Sequence, residues 1–256
     1  MLADLVAGAR EDAERRREQR PLPVVERIAL EQRPALDALA ALKPAASIKV
    51  IAEVKRASPS RGELAEIPDP AALARLYEQG GASAVSVLTE GRRFRGSLAD
   101  LESVRAAVSI PLLRKDFISD PYQVFEARAA GADLVLLIVA ALDQKSLAGL
   151  AHVILELGMT PLVEAHTGDE LLRASDIGAR LIGVNARNLT TFELDRDLFA
   201  RLSDGFPEGA IRVAESAVST ASDVARYRQA GADVVLIGEA LVTRDPIATL
   251  TEFVGV

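Results

Sequence analysis

The hydrophobic pattern changes character at residue 48. Before it, residues 2 to about 20 combine helix formers with mixed charge, and residues 23 to 42 place Val24, Ile28, Leu30, Leu36, Leu39 and Leu42 at helical spacing. Two opening helices are expected, as an N-terminal extension over residues 1–45 whose apolar positions need a surface to cover. From residue 48 onward, short runs of Val, Ile and Leu each lead into a polar turn and then a helical segment. The runs are Ile48 to Val54, Ala84 to Leu88, Pro111 to Leu113, Leu134 to Val139, Pro161 to Val163, Leu181 to Val184, Ile211 to Ala214 and Val234 to Ile237. Strands buried on both faces read as such near-continuous apolar runs, and alternation with helices implies a parallel sheet.

A repeated device introduces several of these runs: Gly80-Gly81-Ala82, Gly131-Ala132-Asp133, Gly178-Ala179-Arg180 and Gly231-Ala232-Asp233. Gly fits the left-handed position that ends a helix, so each repeat marks a helix turning into a strand. Four echoes of one unit among eight strand candidates favour a (β/α)8 TIM barrel over residues 46–256 rather than an open doubly wound sheet. No Gly-x-Gly-x-x-Gly fingerprint follows a strand and no Gly-Lys-Ser/Thr phosphate loop occurs, which weakens the open sheet further.

Composition narrows the chemistry. The chain has 256 residues, no Cys and two His, so thiolate chemistry and a multi-histidine metal centre are excluded and proton transfer falls mainly to Lys, Glu and Asp. A formal charge of -7 with 4% aromatic residues argues against a nucleic-acid surface. The longest apolar runs, such as Leu134 to Leu142, are too short to span a bilayer, and the N-terminus does not read as a signal peptide. The expectation is a cytoplasmic protein with a small-molecule partner, bound to neither nucleic acid nor membrane.

In a barrel of this kind the reactive groups gather where the strands end. The first run ends in Glu53-Val54-Lys55, a spacing of two that puts both charges on one face. Others end in Arg114-Lys115-Asp116, Glu164, Asn185-Ala186-Arg187 and Glu215-Ser216. Any one of these charges could be a solvated loop residue, but chance would also scatter charges to the opposite ends. Ser58-Pro59-Ser60-Arg61-Gly62 suggests a lid over substrate. Glu215-Ser216-Ala217 and Gly238-Glu239-Ala240 suit a phosphate bound by backbone N–H groups. Phe94, Phe117, Leu136 and Ile237 are candidates to line a pocket for an aromatic ring. A structural role is expected for His166 and a surface position for His152.

At these residues the sequence resembles the indole-3-glycerol phosphate synthase family. The similarity rests on Ile51 to Gly62, Ser86 to Glu90, Leu113 to Ile118, Gly131-Ala132-Asp133 with Leu136 to Val139, Gly183 to Leu189, Glu215-Ser216 and Ile237 to Leu241, in family order. The resemblance implies conversion of 1-(2-carboxyphenylamino)-1-deoxyribulose 5-phosphate into indole-3-glycerol phosphate, carbon dioxide and water, in tryptophan biosynthesis and without metal or organic cofactor. It assigns catalytic places to Glu53, Lys55, Lys115, Glu164, Asn185 and Glu215. It gives Arg187 and Ser216 substrate-binding places, beside the candidates read from the residues themselves, Ser58, Phe94, Phe117, Leu136, Ala217, Ile237, Gly238 and Glu239. The expected assembly is a monomer, with room for transient contact with other enzymes of that biosynthesis.

Two other readings compete. A phosphoribosylanthranilate-type isomerase would want a Cys/Asp or Asp/Asp pair at the ends of the first and fifth strands, and neither is present. A non-catalytic barrel that binds a phosphorylated metabolite is opposed by the intact Lys55, Lys115 and Glu164. One position departs from the family pattern, which usually has Gly where Ala217 stands. An ordinary right-handed backbone is expected at Ala217, since strain beside a phosphate anchor would be poorly tolerated.

Overall fold

The computed structural model describes residues 1–189 and 191–256. Its strands are β1 (Lys49–Val54), β2 (Ala57–Ser58), β3 (Gly62–Glu63), β4 (Ala84–Leu88), β5 (Leu112–Lys115), β6 (Leu134–Ile138), β7 (Thr160–Ala165), β8 (Leu181–Asn185), β9 (Ile211–Glu215) and β10 (Val234–Ile237). Its helices are α1 (Leu2–Gln19), α2 (Leu22–Glu31), α3 (Ala38–Leu42), α4 (Pro70–Gln79), α5 (Leu98–Ala107), α6 (Pro121–Ala129), α7 (Gln144–Glu156), α8 (Gly168–Asp176), α9 (Leu198–Leu202), α10 (Ala221–Gln229), α11 (Glu239–Thr243) and α12 (Pro246–Val254). Eight parallel strands close into a barrel, because β1 pairs with β10 on one side and with β4 on the other. The expected (β/α)8 barrel is therefore present, with each of the eight apolar runs as one stave. The expected strand ends are short by up to two residues: β7 runs on to Ala165, β8 to Asn185 and β9 to Glu215. Polar residues thus lie inside the ladder itself.

Side chains alternate across each stave, so each strand carries two stripes. Outward residues such as Val50, Ala52, Val135, Leu137, Ile182 and Val184 join one buried cluster with the helices. Inward residues such as Ile51, Leu113, Leu162, Leu181, Val213 and Leu236 form a second cluster inside the barrel. Four turns at the repeats take the left-handed glycine conformation, with φ of 95° at Gly81, 88° at Gly131, 69° at Gly178 and 93° at Gly231.

The N-terminal region differs from expectation in its second helix. Residues 23 to 42 form not one helix but α2 and α3, separated by a non-helical segment around Pro34. Proline has no N–H to donate and disfavours a helical residue before it. The buried face of α2 is Val25 and Ala29, while Val24 and Leu30 are exposed. Val25 packs with Ala13 of α1 and Tyr122 of α6. Leu2, Leu5 and Ala9 of α1 join the inner cluster beside Phe117 and Leu136. Ala38 and Leu42 of α3 join it beside residues that begin the staves, Ala84, Leu134 and Leu181. Among the described residues, no helix is long and apolar enough to cross a membrane.

Candidate active site

The inward stripe decides what the barrel mouth contains. Continuing it by one step of two residues takes Ile51 to Glu53, Leu113 to Lys115, Leu162 to Glu164, Gly183 to Asn185 and Val213 to Glu215. These groups come from five staves and converge. Lys115 Nζ lies 3.7 Å from Glu53, 3.9 Å from Glu164 and 3.6 Å from Glu215, while Lys55 Nζ pairs with Glu53 at 2.9 Å. All three carboxylates are buried. Asn185 Nδ2 donates to Glu164 at 3.2 Å, and Asn185 Oδ1 accepts from Ser216 Oγ at 2.8 Å and from the Arg187 amide at 3.0 Å.

Three carboxylates face two ammonium groups, so full ionisation would leave one uncompensated negative charge in a dry place. Burial drives the Glu215 carboxyl well above its usual range, Glu164 adds to this, and Lys115 offsets only part. Among the described residues, neither Glu215 oxygen nor Glu164 Oε2 has a hydrogen-bond partner, although Lys115 stands close to both carboxylates. For Glu53, burial pushes upward but Lys55 and Lys115 outweigh it, and the carboxyl falls below its usual range. Burial alone would strip the proton from Lys115, yet the fields of Glu53, Glu215 and Glu164 outweigh it and hold the ammonium more firmly than in water. The arrangement is a fixed cation that faces a cavity, with Glu215 behind it as an acid whose surroundings favour its protonated form.

Two glycines make room for this cluster. A Cβ on Gly183 of β8 would stand 2.1 Å from Glu215 Oε1, and one on Gly238 would stand 2.7 Å from Glu53 Oε1 and 3.0 Å from Lys55 Nζ. Expected only at the phosphate, Gly238 also gives the Glu53–Lys55 pair its space. The cavity above the cluster encloses about 1140 Å³, counting the part open to solvent. Its lining includes each sequence-derived site residue, among them Phe94, Phe117, Leu136 and Arg187 on the walls. The tip of the β2–β3 hairpin lies over it through Ser58, Pro59, Ser60 and Arg61, and Arg61 pairs with Glu239 at 3.1 Å.

A sequence model of the family described as Indole-3-glycerol phosphate synthase matches residues 2–253. The chain belongs to this family. It is 75% identical over 256 residues to the indole-3-glycerol phosphate synthase of Leifsonia xyli subsp. xyli, covering 100% of this chain and 98% of that one. The synthase of Beutenbergia cavernae is 58% identical over 244 residues, covering 95% of this chain and 90% of its own. Among solved structures, 3-hexulose-6-phosphate synthase from Salmonella typhimurium superposes with a TM-score of 0.67 at 15% identity, covering 81% of this chain and 97% of that one. At that identity the likeness is one of fold alone.

The family position occupied by Ala217 overturns an expectation. Its backbone is left-handed, with φ of 60°, and follows Ser216 at 69°. The surroundings over-determine the turn. Tyr227 Oη donates to the Ser216 carbonyl at 3.3 Å, Arg196 Nη1 to the Ala217 carbonyl at 3.3 Å, and Ser216 Oγ is tied to Asn185. The result turns the amides of Ala217 and Val218 away from any protein acceptor among the described residues. An L-residue held this way is strained by about 1–2 kcal/mol. Ala217→Gly is therefore expected to raise the melting temperature slightly and to strengthen competitive inhibition by inorganic phosphate. Unchanged values for both would show that the turn is not strained.

Other readings need smaller corrections. Ile237 borders the mouth, but its side chain belongs to the outer cluster, and the inward residue of that stave is Leu236. Parity along the run Val234 to Ile237 was the available signal. Leu189, Phe192 and Arg196 also line the cavity, from the long loop after β8, where no periodicity points to them. The His166 imidazole Nδ1 meets the Asn185 carbonyl at 2.7 Å, a structural role as expected. His152 is exposed.

Proposed function

We propose that this mouth performs the ring closure, decarboxylation and dehydration that turn 1-(2-carboxyphenylamino)-1-deoxyribulose 5-phosphate into indole-3-glycerol phosphate. The observation that carries the reading is the Lys115 ammonium, held among three buried carboxylates at the floor of the cavity. Attack of the aromatic ring on the ketone carbon moves an electron pair onto the ketone oxygen. A proton from Lys115 meets it there. Loss of carbon dioxide returns the ring to aromaticity. The hydroxyl then leaves as water while a base takes a proton from the adjacent ring methylene, which forms the carbon–carbon double bond of the indole and leaves its N–H in place. Lys55, paired with Glu53, supplies both the acid and the base for that step, with Glu164 as the competing acid or base. Asn185, Arg187 and Glu215 orient the substrate and hold the lysines in place.

The remaining contacts follow from charge and shape. The phosphate sits against the amides beyond Ser216 and at Gly238-Glu239, with Ser58 at the hairpin completing the site. The carboxyphenyl ring lies against the pair formed by Phe94 and Phe117, whose ring centroids are 6.1 Å apart, with Leu136 beside them. The chain acts as a monomer in the cytoplasm, with no nucleic acid or membrane partner and only transient contact with other enzymes of tryptophan biosynthesis.

The chain contains no Trp, so indole fluorescence from product rises on a dark background. Purified protein given the substrate should show that rise and release carbon dioxide in equal amount. Binding of substrate without either signal would favour a barrel that has lost its chemistry. The extension over residues 1–45 is a covering layer for the barrel, so its deletion should lower the melting temperature or weaken substrate binding. A truncated protein with unchanged melting and kinetics would make it a passive tail.

A further inference from the structure

One wall of the cavity is built by a loop rather than a stave. After β4 the chain turns back on itself over residues 89–96, and the turn is organised by Glu90, which is 3% exposed. Its carboxylate accepts three successive backbone amides: Arg92 at 2.9 Å on Oε1, then Arg93 at 2.7 Å and Phe94 at 2.9 Å on Oε2. Its own carbonyl accepts the Gly96 amide at 2.8 Å. The loop is drawn so tight that a Cβ on Gly96 would lie 2.0 Å from the Leu88 carbonyl oxygen, and Arg95 takes a left-handed φ of 57°. Its outer side is fastened to α1, where Arg92 Nη2 meets Glu11 and Asp12, each at 2.8 Å. The residue that this loop presents to the cavity is Phe94.

We propose that Glu90 is a positioning residue for the aromatic part of the substrate, acting through Phe94. The inference rests on the reading above that the ring lies against Phe94 and Phe117. A short exposed loop would otherwise sample many conformations, and each would have to be given up when a ring docks. One ionised carboxylate that holds three consecutive amides removes that freedom beforehand, through bonds stronger than those between neutral groups. Arg92 fixes the other side of the same loop to α1, so the N-terminal helix contributes to the ring wall although it bears none of the reacting groups.

Glu90→Gln keeps the side-chain size but replaces one acceptor oxygen with an N–H2 that faces an amide donor. KM should rise about tenfold while kcat stays within about twofold, the pattern of a lost binding contact rather than a lost catalytic group. Inhibition by inorganic phosphate, which has no ring, should not change. Combined with Phe94→Leu, the effects on KM should be clearly less than additive, because both changes remove the same wall. Additive effects, or an unchanged KM in Glu90→Gln, would overturn the proposal. If Phe94→Leu alone leaves KM unchanged, the ring-pocket reading itself has failed, which is a different result. Should Glu90→Gln unfold below the assay temperature, the partly exposed Arg92→Gln carries the same test. It should raise KM and be less than additive with Phe94→Leu, and an unchanged KM would overturn the proposal.

Discussion

Lys115→Met is expected to lower turnover by about 100- to 10,000-fold, because the ring-closing step loses its proton donor and its nearest positive charge. Substrate binding should survive, since the phosphate turn and the ring wall are untouched. Half the wild-type rate in this variant would remove Lys115 from the mechanism. The structure adds a stability signature that follows from charge. Without Lys115, Glu53, Glu164 and Glu215 crowd one buried site with only Lys55 left to oppose them. Burial and Glu164 already hold the Glu215 carboxyl well above its usual range. The folded state of the variant then binds more protons than the unfolded chain. A carboxyl raised on folding contributes stability that is complete at low pH, below its unfolded value. That stability is lost as pH rises through its folded value. Melting temperatures of Lys115→Met should therefore fall, relative to wild type, as pH increases from the acid side toward neutrality. A pH-independent difference would mean that burial does not raise the Glu215 carboxyl as described.

Gly183→Ala is expected to reduce turnover about 100-fold with little change in melting temperature, the scale associated with a displacement of about 1 Å in a reacting group. The new methyl would meet Glu215 Oε1 at 2.1 Å, and that oxygen terminates a side chain that can swing away. The barrel is spared, but Glu215 leaves its place 3.6 Å from Lys115. Steady-state kinetics beside thermal melting separate the two effects. Wild-type turnover would show that the position of Glu215 is immaterial, and a large fall in melting temperature would show that the stave, rather than the carboxylate, gives way.

Much of the candidate site could be read from residue order. Strand ends at Lys55, Lys115, Glu164, Asn185 and Glu215 were recognisable because a buried parallel stave tolerates few charges in its middle. The Gly-Ala pairs announced helix ends because a left-handed residue after a helix is a local demand on backbone sterics. Local chemistry did not reveal Ala217, where two side chains and a carbonyl-binding Arg196 from separate segments impose a conformation that Ala would not choose alone.

The alternation of apolar runs and helices, the closed barrel it implies and the identity of the polar groups at the strand ends were determined by the sequence itself. Each depends on periodicity, backbone sterics or side-chain type within a few residues. Tertiary structure alone decided which stripe of each stave faces inward, that three acids from β1, β7 and β9 converge on Lys115, and that Gly183 and Gly238 stand aside for them. It also decided that a carboxylate at Glu90 holds the ring wall. Those outcomes depend on how the staves register around a closed circle and on the low dielectric that closure creates. Residues as far apart in the chain as Lys115 and Glu215 then set one another's charge.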